Sequence, residues 1–453
     1  MRNLVEALPG ISVSDAPEDL ICYGFDACGS ESLPSAVLWP ETTEHVIRIM
    51  RHAYEDGISV VPRGAGTGMS GGAVPLKGSL VLSMERMSRV IELDRENLTV
   101  IVEPGIINGN LQREVERHGL FYPPDPASMN FCTIGGNVAE NAGGPRALKY
   151  GVTRDYVMEM EAVLPSGDLI TTGVRTRKGV VGYDLTRLLV GSEGTLAVAT
   201  KIRLKLLPLP DTVVALLCLF NSLEASGKAV SRIIASRIIP RTIEFMDREA
   251  IAAVERYHPI GIRDNVEALL LIEIDGDPLS IKREAEKVAD ICMKLDADVS
   301  MAEDDEARAR LWECRRAISP ALYHLSPTKI SEDIVVPRSR IPEMLTSLKR
   351  LSGERGVKIV NFGHAGDGNI HVNIMIDKAN AEEYKKGKDL VKEIFSLTLS
   401  LGGTISGEHG IGITKAPYIG MEIKERELGL MRGIKHLFDP KNILNPGKIF
   451  PEK

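Results

Sequence analysis

The sequence predicts an α+β protein with more than one domain, and three observations lead to this prediction. The chain has 453 residues, which suits two or three domains at roughly 150 residues each. Residues 36–208 consist of short apolar runs separated by glycine-rich turns, a pattern typical of strands joined by tight loops. After Pro208 and Pro210, longer stretches alternate between strand and helix periodicity, which indicates a second domain beginning near residue 209.

The first part of the chain contains two amphipathic stretches that predict helices, 43–55 and 108–118. Its apolar runs predict strands over 58–62, 79–84, 98–105, 157–167 and 196–208.

The second part predicts more regular elements, followed by a glycine-rich turn and a C-terminal tail that ends in LNPGKIF. The predicted strands are 213–220, 241–246, 268–274, 329–336, 357–362 and 370–376. The predicted helices are 222–236, 247–256, 279–295, 303–324, 340–352 and 380–400.

Composition and charge exclude several classes of protein. Hydrophobic residues make up 43% of the chain and charged residues 26%, as in packed globular domains. The formal net charge of −7, without a block of lysine and arginine, argues against a nucleic-acid partner. Six cysteines without CxxC spacing predict neither an iron–sulfur nor a cysteine-type zinc site, and they suit a reducing, cytoplasmic compartment. The N-terminus lacks the apolar core of a signal peptide, and no run of about 18 apolar residues predicts a membrane span.

A glycine-rich loop, VPRGAGTGMSGGAV, follows the predicted strand 58–62. It contains Gly64, Gly66, Gly68, Gly71 and Gly72, so that successive backbone N–H groups are open to a pyrophosphate. Residues 66–71 match GxGxxG, but Pro75 and a new strand follow where a Rossmann loop would open a helix. Taken alone, the loop is as easily explained as a structural turn.

Two further segments of small residues favour a ligand-binding loop over a purely structural turn. Residues 121–146 form a second glycine-rich loop around Gly135, Gly136, Gly143 and Gly144, and VGSEGTL at 190–196 forms a third. Three such loops suggest a long, flat ligand contacted from several sides, and a dinucleotide such as FAD has this shape.

Three of the nine histidines, His364, His371 and His409, lie close together in the sequence. The turn AGDGN predicts a hairpin whose strands each carry one imidazole, with His371 and Asn373 on one face. The segment GEHGIG adds Glu408 and His409 between glycines. Two histidines and one carboxylate are a common divalent-metal set, although two structural histidines are the alternative from spacing alone. Asp367 is a rival carboxylate, but Asp-Gly in a hairpin is usually part of the turn.

Five motifs in order carry a resemblance to a known family: PRGAGTGMSGG, TIGGNVAENAGG, GSEGTL, NFGHAGDGNIHVN and SGEHGIGITK. Together they resemble the FAD-linked oxidases of the vanillyl-alcohol oxidase type, in the branch of glycolate oxidase catalytic subunits, D-lactate dehydrogenases and D-2-hydroxyglutarate dehydrogenases. The resemblance implies an FAD-binding domain of that type over residues 1–208. It also implies an α/β substrate (cap) domain over 209–408 with an antiparallel sheet and a metal site, and a C-terminal segment over 409–453 that completes the active site.

By the same resemblance, residues of the three glycine-rich segments bind FAD. No histidine lies between His52 and His118 to tether the flavin, so we expect a non-covalent cofactor, and Cys132 is expected to be a small buried residue. The implied FAD-binding residues are Arg63, Gly64, Ala65, Gly66, Thr67, Gly68, Met69, Ser70, Pro124, Thr133, Gly135, Gly136, Asn137, Ala142, Gly143, Glu193 and Gly194.

The resemblance also implies roles for residues in the second half of the chain. His364, His371 and Glu408 are implied as ligands of one divalent metal, zinc, manganese or iron, with His409 as the general base and Asn373 beside them. The helix LWECRRAISPAL places Arg315 on the substrate carboxylate, with Ser319 and Lys329 as further substrate contacts. A solvated position competes for Arg316, and relatives often have threonine where this chain has Ser319 followed by Pro320.

The implied reaction is oxidation of a small D-2-hydroxy acid, D-lactate or glycolate first and D-2-hydroxyglutarate also, with hydride passing to flavin N5. Electrons would leave through an electron-transfer flavoprotein, an iron–sulfur subunit or a quinone-linked carrier, which could also hold the protein at a membrane. A homodimer is compatible with these expectations. Two alternatives stay open: a non-catalytic FAD-binding electron-transfer or assembly subunit, and a flavoprotein of the same fold that acts on another alcohol.

Overall fold

A computed structural model describes residues 2–259 and 261–451, and it confirms the α+β fold class. The chain divides into two compact units. Unit 1 comprises Met1–Gly143, Gly151–Leu209 and Glu408–Lys453, and unit 2 comprises Gly144–Tyr150 and Pro210–Gly407. Each unit is therefore built from separated stretches of sequence.

The strands of unit 1 form three sheets within the described residues. They are β1 (Ser12–Ser14), β2 (Ala36–Trp39), β3 (Val60–Arg63), β4 (Leu80–Ser83), β5 (Val90–Asp94), β6 (Thr99–Val102), β7 (Leu120–Phe121), β8 (Val157–Val163), β9 (Leu169–Gly173), β10 (Val198–Lys205) and β11 (Leu207–Pro208). The sheet orders are β1-β2-β4-β3, β5-β6-β10-β8-β9 and β11-β7.

The first of these sheets forms a core with one long helix. Strands β2, β4 and β3 run parallel, and β1 joins β2 antiparallel. Helix α3 (Thr43–Asp56) begins where Thr42 accepts a hydrogen bond from the backbone N–H of His45, and it ends at Gly57 in the left-handed conformation. Its apolar face packs into a cluster that also contains residues of the parallel strands. The glycine-rich loop after β3 therefore leaves a firmly packed strand.

The remaining helices of unit 1 are short, apart from α15. They are α1 (Arg2–Ala7), α2 (Pro17–Cys22), α4 (Asn108–Glu116), α5 (Ile134–Glu140), α7 (Leu185–Leu189), α14 (Ile419–Glu422) and α15 (Glu425–Phe438), while α6 (Ala147–Tyr150) belongs to unit 2.

Two expectations about unit 1 need correction. The second glycine-rich segment contains helix α5, which begins where the Thr133 hydroxyl accepts a hydrogen bond from Gly136 N at 3.2 Å. The predicted C-terminal tail contains helix α15, although Leu430 and Leu437 on it are largely exposed. Glycine content obscured the first helix, and apolar residues that are not buried obscured the second.

Unit 2 is built on one antiparallel sheet of order β15-β12-β14-β13-β17-β18-β16 in the described residues. Its strands are β12 (Thr212–Phe220), β13 (Thr242–Asp247), β14 (Ala268–Gly276), β15 (Asp298–Met301), β16 (Thr328–Val335), β17 (Ile359–His364) and β18 (Asn369–Ile376). Its helices are α6, α8 (Leu223–Ala235), α9 (Arg248–Tyr257), α10 (Pro278–Met293), α11 (Asp305–Leu322), α12 (Ile341–Arg355) and α13 (Ala381–Ser400).

Helices α9 and α11 cover one face of this sheet. The apolar cluster on that face includes Met246, Val360, Phe362 and Met375 together with residues of both helices. Because side chains alternate along a strand, the residues two positions away from these share the same face. The sheet therefore places polar residues of β13, β17 and β18 beside this apolar cluster.

Within the part of the chain that the structure describes, no helix combines the length and the apolar character needed to cross a bilayer.

Candidate active site

The two histidines of the predicted hairpin lie next to each other in unit 2. Strands β17 and β18 pair antiparallel, with Phe362 opposite His371, and the imidazoles of His364 and His371 meet edge to face with centroids 5.2 Å apart. Both side chains are largely buried. The turn between them needs glycine at 368, where φ is +94° and an added Cβ would lie against the carbonyl oxygen of Val336. The predicted hairpin is confirmed.

Glu408 completes a group suited to a metal ion. One ligand atom each of His364, His371 and Glu408 lies within 4.8 Å of the others. Glu408 directly follows Gly407, the last residue of unit 2, whose backbone N–H donates to Asp333 at 2.9 Å. Two imidazoles and a carboxylate are the donor types that divalent zinc, manganese or iron accepts, so these residues fit such an ion.

Another acidic residue, Glu244 on β13, contacts this group through His364. Its Oε1 lies 2.6 Å from His364 Nδ1, and its Oε2 accepts a 2.7 Å hydrogen bond from Arg315 Nε. Burial raises the pKa of Glu244, but His364 and Arg315 outweigh burial and bring its pKa below the usual value. The carboxylate is therefore ionised and held by both neighbours.

The residues predicted to bind the substrate lie on or near α11. Arg315 is nearly buried, with its guanidinium 4.9 Å from the centre of the Phe362 ring, whereas Arg316 is exposed. Lys329 donates to the hydroxyl of Ser319 at 2.6 Å, and burial lowers the pKa of Lys329 to about 8. The structure thus pairs Ser319 with Lys329 and places Arg315 next to the histidine pair through Glu244.

Two further predicted positions behave differently. Asn373 is fully buried, and its amide N–H₂ donates to the carbonyl oxygens of Val360 and His371 at 3.2 Å each. Its Oδ1 is buried, and within the described part of the chain it has no hydrogen-bond partner. Asp367 accepts a hydrogen bond from Asn369 N at 3.2 Å, which is turn chemistry.

The glycine-rich segments of unit 1 contact each other. A Cβ added to Gly64 would overlap Thr133 Oγ1, so the first loop lies directly against the start of α5. Beside Gly68 there is open space, because the nearest atom to an added Cβ is Asp26 Oδ2 at 3.9 Å. The Ser70 hydroxyl is buried and has no hydrogen-bond partner among the described residues. An open glycine cradle and an unmatched hydroxyl fit a cofactor phosphate.

Some of the predicted FAD-binding side chains are engaged within the protein. Arg63 donates to Phe25 O at 2.7 Å, and Asn137 exchanges hydrogen bonds with Asn108 and Cys132. Glu193 accepts from Ile411 N and Gly412 N at 2.8 and 2.7 Å. At these positions a cofactor contact would have to come from the backbone or from the part of the side chain not already bonded.

The other predicted FAD-binding residues line the same loops with different exposure. Thr133, Gly143, Gly194 and Pro124 are buried, while Ala65 is exposed and Gly64, Gly66, Thr67, Gly68, Met69, Gly135, Gly136 and Ala142 are half-buried. Gly143 is crowded, since an added Cβ would lie 2.8 Å from Glu408 Oε1.

His409 lies half-buried in the GEHGIG segment of unit 1. Glu193 fixes the residues that follow it through Ile411 and Gly412, and Ser70 O accepts hydrogen bonds from Ile413 N and Thr414 N at 2.8 and 3.1 Å. The segment that carries His409 is therefore tied to two of the glycine-rich loops.

Sequence reasoning missed Glu244 and Asp333. Both are fully buried acids on strands of the sheet, and β-sheet register places Glu244 opposite His364 and Asp333 opposite His371. The available signal was a charged residue inside an otherwise apolar strand, as in RTIEFMD and SEDIVV.

The chain is similar to known proteins of one family. The chain matches a model described as "FAD linked oxidases, C-terminal domain" over residues 209–449 and one described as "FAD binding domain" over residues 34–173. It is 46% identical over 451 residues to "Glycolate oxidase subunit GlcD" of Bacillus subtilis, covering 99% of this chain and 96% of that protein. It is 38% identical over 458 residues to a "D-lactate dehydrogenase" of Archaeoglobus fulgidus, covering 99% and 98%.

Solved structures agree at the level of the fold. The crystal structure of p-cresol methylhydroxylase with substrate bound has a TM-score of 0.80 at 18% identity, covering 96% of this chain and 93% of that one.

Proposed function

Because this chain belongs to the FAD linked oxidases, and is an FAD-dependent oxidoreductase with a flavin-binding domain of the PCMH type, we propose that it oxidises a small D-2-hydroxy acid to the 2-oxo acid. D-Lactate and glycolate are the favoured substrates, with D-2-hydroxyglutarate next. The single observation that carries this proposal is the cluster of His364, His371 and Glu408. The names of the glycolate oxidase and D-lactate dehydrogenase relatives support the substrate class.

The site residues have separate proposed roles in binding the metal ion and the substrate. His364, His371 and Glu408 would hold one divalent ion, which would acidify the substrate hydroxyl, and bound FAD would supply the hydride acceptor. Arg315 binds the substrate carboxylate through its guanidinium, which suits a planar, bidentate partner. Ser319 and Lys329, which are hydrogen-bonded to each other, are proposed as further substrate contacts.

Proton removal falls to His409. Its imidazole takes the hydroxyl proton, and a neutral ring is required for this step. Asn373, two positions from His371 on β18, is a further proposed catalytic residue: its N–H₂ is used by backbone carbonyls, which leaves Oδ1 as the group available to a ligand. Glu408 and His409 are consecutive in the sequence, so the proposed base lies next to a proposed metal ligand.

We further propose the domain roles and the partners. Residues 1–208 bind FAD non-covalently, 209–408 bind the substrate and 409–453 complete the site. The partner that would take electrons from the bound cofactor is an electron-transfer flavoprotein, an iron–sulfur subunit or a quinone-linked carrier. The name "subunit" given to the Bacillus subtilis relative supports a partner of this kind.

The test is anaerobic bleaching of the purified flavoprotein with a panel of D- and L-2-hydroxy acids. We expect rapid bleaching with D-lactate or glycolate and much slower bleaching with L-lactate. A flavin that no hydroxy acid bleaches would indicate the non-catalytic subunit instead. Bleaching only by sugar lactones or phenols, in a protein without metal, would indicate a same-fold enzyme for another alcohol.

A further inference from the structure

Glu244 is a buried carboxylate shared by two groups with different proposed roles. It lies on the central part of the unit 2 sheet, and its side chain is 0% exposed. One oxygen meets His364 Nδ1 at 2.6 Å and the other accepts from Arg315 Nε at 2.7 Å. The proposed metal ligand and the proposed substrate-binding arginine are thus joined by three side chains in a row.

An isolated buried carboxylate is strongly unfavourable, and an apolar side chain of similar size usually serves a core equally well. Besides its polar partners His364 and Arg315, Glu244 has apolar neighbours on the sheet, Met246, Phe362 and Leu271. The charge at this position therefore has to be explained by what it does for His364 and Arg315.

The effect on His364 concerns the position of its proton. A carboxylate at Nδ1 favours the imidazole tautomer with its proton on Nδ1, because Nδ1–H then donates to Oε1. Nε2 then carries the lone pair that a metal ion requires. The same contact fixes the rotation of the ring and raises its basicity as a ligand.

The effect on Arg315 concerns the direction of its guanidinium. Glu244 engages Nε, and the ring of Phe362 lies 4.9 Å from Cζ against the flat group. A planar group held through one nitrogen and one face has a defined orientation, so its terminal nitrogens are directed to one place. Holding the long side chain in this way also removes rotamer freedom before a substrate arrives.

We propose that Glu244 is a positioning residue that couples metal binding to substrate-carboxylate binding through His364 and Arg315. It contacts neither the metal nor the substrate. This inference rests on the proposed function and adds a residue to it: one carboxylate sets the tautomer of a metal ligand and the direction of a substrate ligand together.

The decisive variant is Glu244→Gln. An amide N–H₂ can face His364 or Arg315, but it cannot accept a hydrogen bond from either. Facing His364, it favours the tautomer with the proton on Nε2; facing Arg315, it places two donors together. We expect the dissociation constant for Mn²⁺, measured from the free-ion electron paramagnetic resonance signal, to rise about 10–100-fold.

The second readout is substrate binding at saturating Mn²⁺. For Glu244→Gln we expect the dissociation constant for D-lactate, from the flavin perturbation of a reduction-impaired His409→Ala background, to rise by about tenfold or more. At saturating Mn²⁺, which restores metal occupancy, His364→Ala should show its main loss in Mn²⁺ affinity and Arg315→Lys in D-lactate affinity. Glu244→Gln should show both losses although it replaces neither a metal ligand nor a substrate ligand. Glu244→Asp keeps the charge and should recover part of each affinity.

The matched control is Glu273→Gln. Glu273 is also a buried carboxylate of the same sheet, but it is held by Trp312 and Arg241 and touches neither His364 nor Arg315. It should leave both dissociation constants unchanged. Near-ultraviolet circular dichroism reports whether each variant is folded, and Glu244→Asp supplies the comparison if Glu244→Gln does not fold.

The outcomes separate the inference from the function on which it rests. A parent protein that binds no Mn²⁺ or Zn²⁺ overturns the metal assignment, and the coupling with it. A parent that binds Mn²⁺, with a folded Glu244→Gln variant that binds Mn²⁺ and D-lactate as tightly as the parent, overturns the coupling alone. Equal losses in Glu273→Gln would also overturn it, because any buried charge would then have the same effect.

Discussion

At the scale of single residues, Glu408 and His409 are neighbours with different proposed chemistry, and substitution separates them. His409→Ala should retain flavin and metal but slow anaerobic flavin reduction by about 10²–10⁴-fold, the range for a positioned acid–base group. Glu408→Ala should instead lower metal occupancy and weaken D-lactate binding. Stopped-flow reduction and elemental analysis give the two readouts. Parent-like reduction by His409→Ala, with slow reduction by Glu408→Ala, would move the base to another group.

Gly143, one of the implied FAD-binding residues, also provides a second test of Glu408 because it lies against that carboxylate. A methyl group at 143 would lie 2.8 Å from Glu408 Oε1, so Gly143→Ala should displace the carboxylate. We expect a folded flavoprotein whose Mn²⁺ affinity is about tenfold lower. Gly353→Ala, where an added Cβ meets nothing within 4 Å, is the control. Unchanged Mn²⁺ binding in Gly143→Ala would argue that Glu408 is not a ligand.

Substitutions of Gly68 test whether the first glycine-rich loop binds the pyrophosphate, because they separate the effect of added charge from that of added size. An added Cβ has open space there, so Gly68→Ala should still bind flavin. Gly68→Asp adds a negative charge where we expect phosphate, and it should purify without flavin. The flavin-to-protein absorbance ratio of each purified variant measures how much flavin it retains. Full flavin content in Gly68→Asp would place the pyrophosphate elsewhere.

At the scale of elements, Asp247 links helix α9 to strand β17. Its Oδ1 accepts from Ala250 N at 2.8 Å as the N-cap of α9, and its Oδ2 accepts from Asn361 N and Nδ2 at 2.8 and 2.9 Å. Burial raises its pKa to about 7 despite these hydrogen bonds. Asn361 lies on the strand that ends at His364, so this contact helps to hold the histidine hairpin in place.

The raised pKa predicts how stability changes with pH. The folded state binds this proton more tightly than the unfolded state, so the contribution is fully present below the unfolded pKa and is lost as pH rises through about 7. The free energy of unfolding of unit 2 should therefore fall as pH rises from about 4 to about 7, by roughly 4 kcal/mol at most from this group. Asp247→Asn should lower stability overall and flatten that slope. Urea titrations followed by Trp312 fluorescence would show it, and an unchanged slope would contradict the assignment.

The elements also show what sequence reasoning can reach. Periodicity located the long helices and strands of unit 2 closely, as in α13 and β18, because their apolar faces are buried. It missed α5, since a helix of seven residues started by Thr133 is set by its cap and surroundings and not by an apolar stripe. Glu244 and Asp333 could not be assigned because their importance depends on β-sheet register across distant strands. The ligand set itself came from motif spacing and family resemblance, which the cluster geometry supports.

At the scale of the whole molecule, flavin and metal should be separable. Acid precipitation should release the yellow colour into the supernatant, because no histidine lies between His52 and His118 to tether it. Prolonged chelation should abolish D-lactate oxidation and leave the flavin spectrum intact, and added Mn²⁺ or Zn²⁺ should restore activity. Colour retained in the pellet would refute non-covalent binding. Full activity after chelation, with no metal by elemental analysis, would make His364 and His371 structural.

The division of the chain also bears on the order in which it folds during synthesis. Residues 408–453 belong to unit 1, and Leu444 bridges to Val60 beside β3, with Asn445 N donating to Val60 O at 2.7 Å. Domains usually fold as their residues leave the ribosome, from the N-terminus onward. Here every residue of unit 2 emerges before the last stretch of unit 1. The unit that begins first is therefore completed after unit 2, and its glycine-rich loop lacks these C-terminal contacts until residues 408–453 have been synthesised.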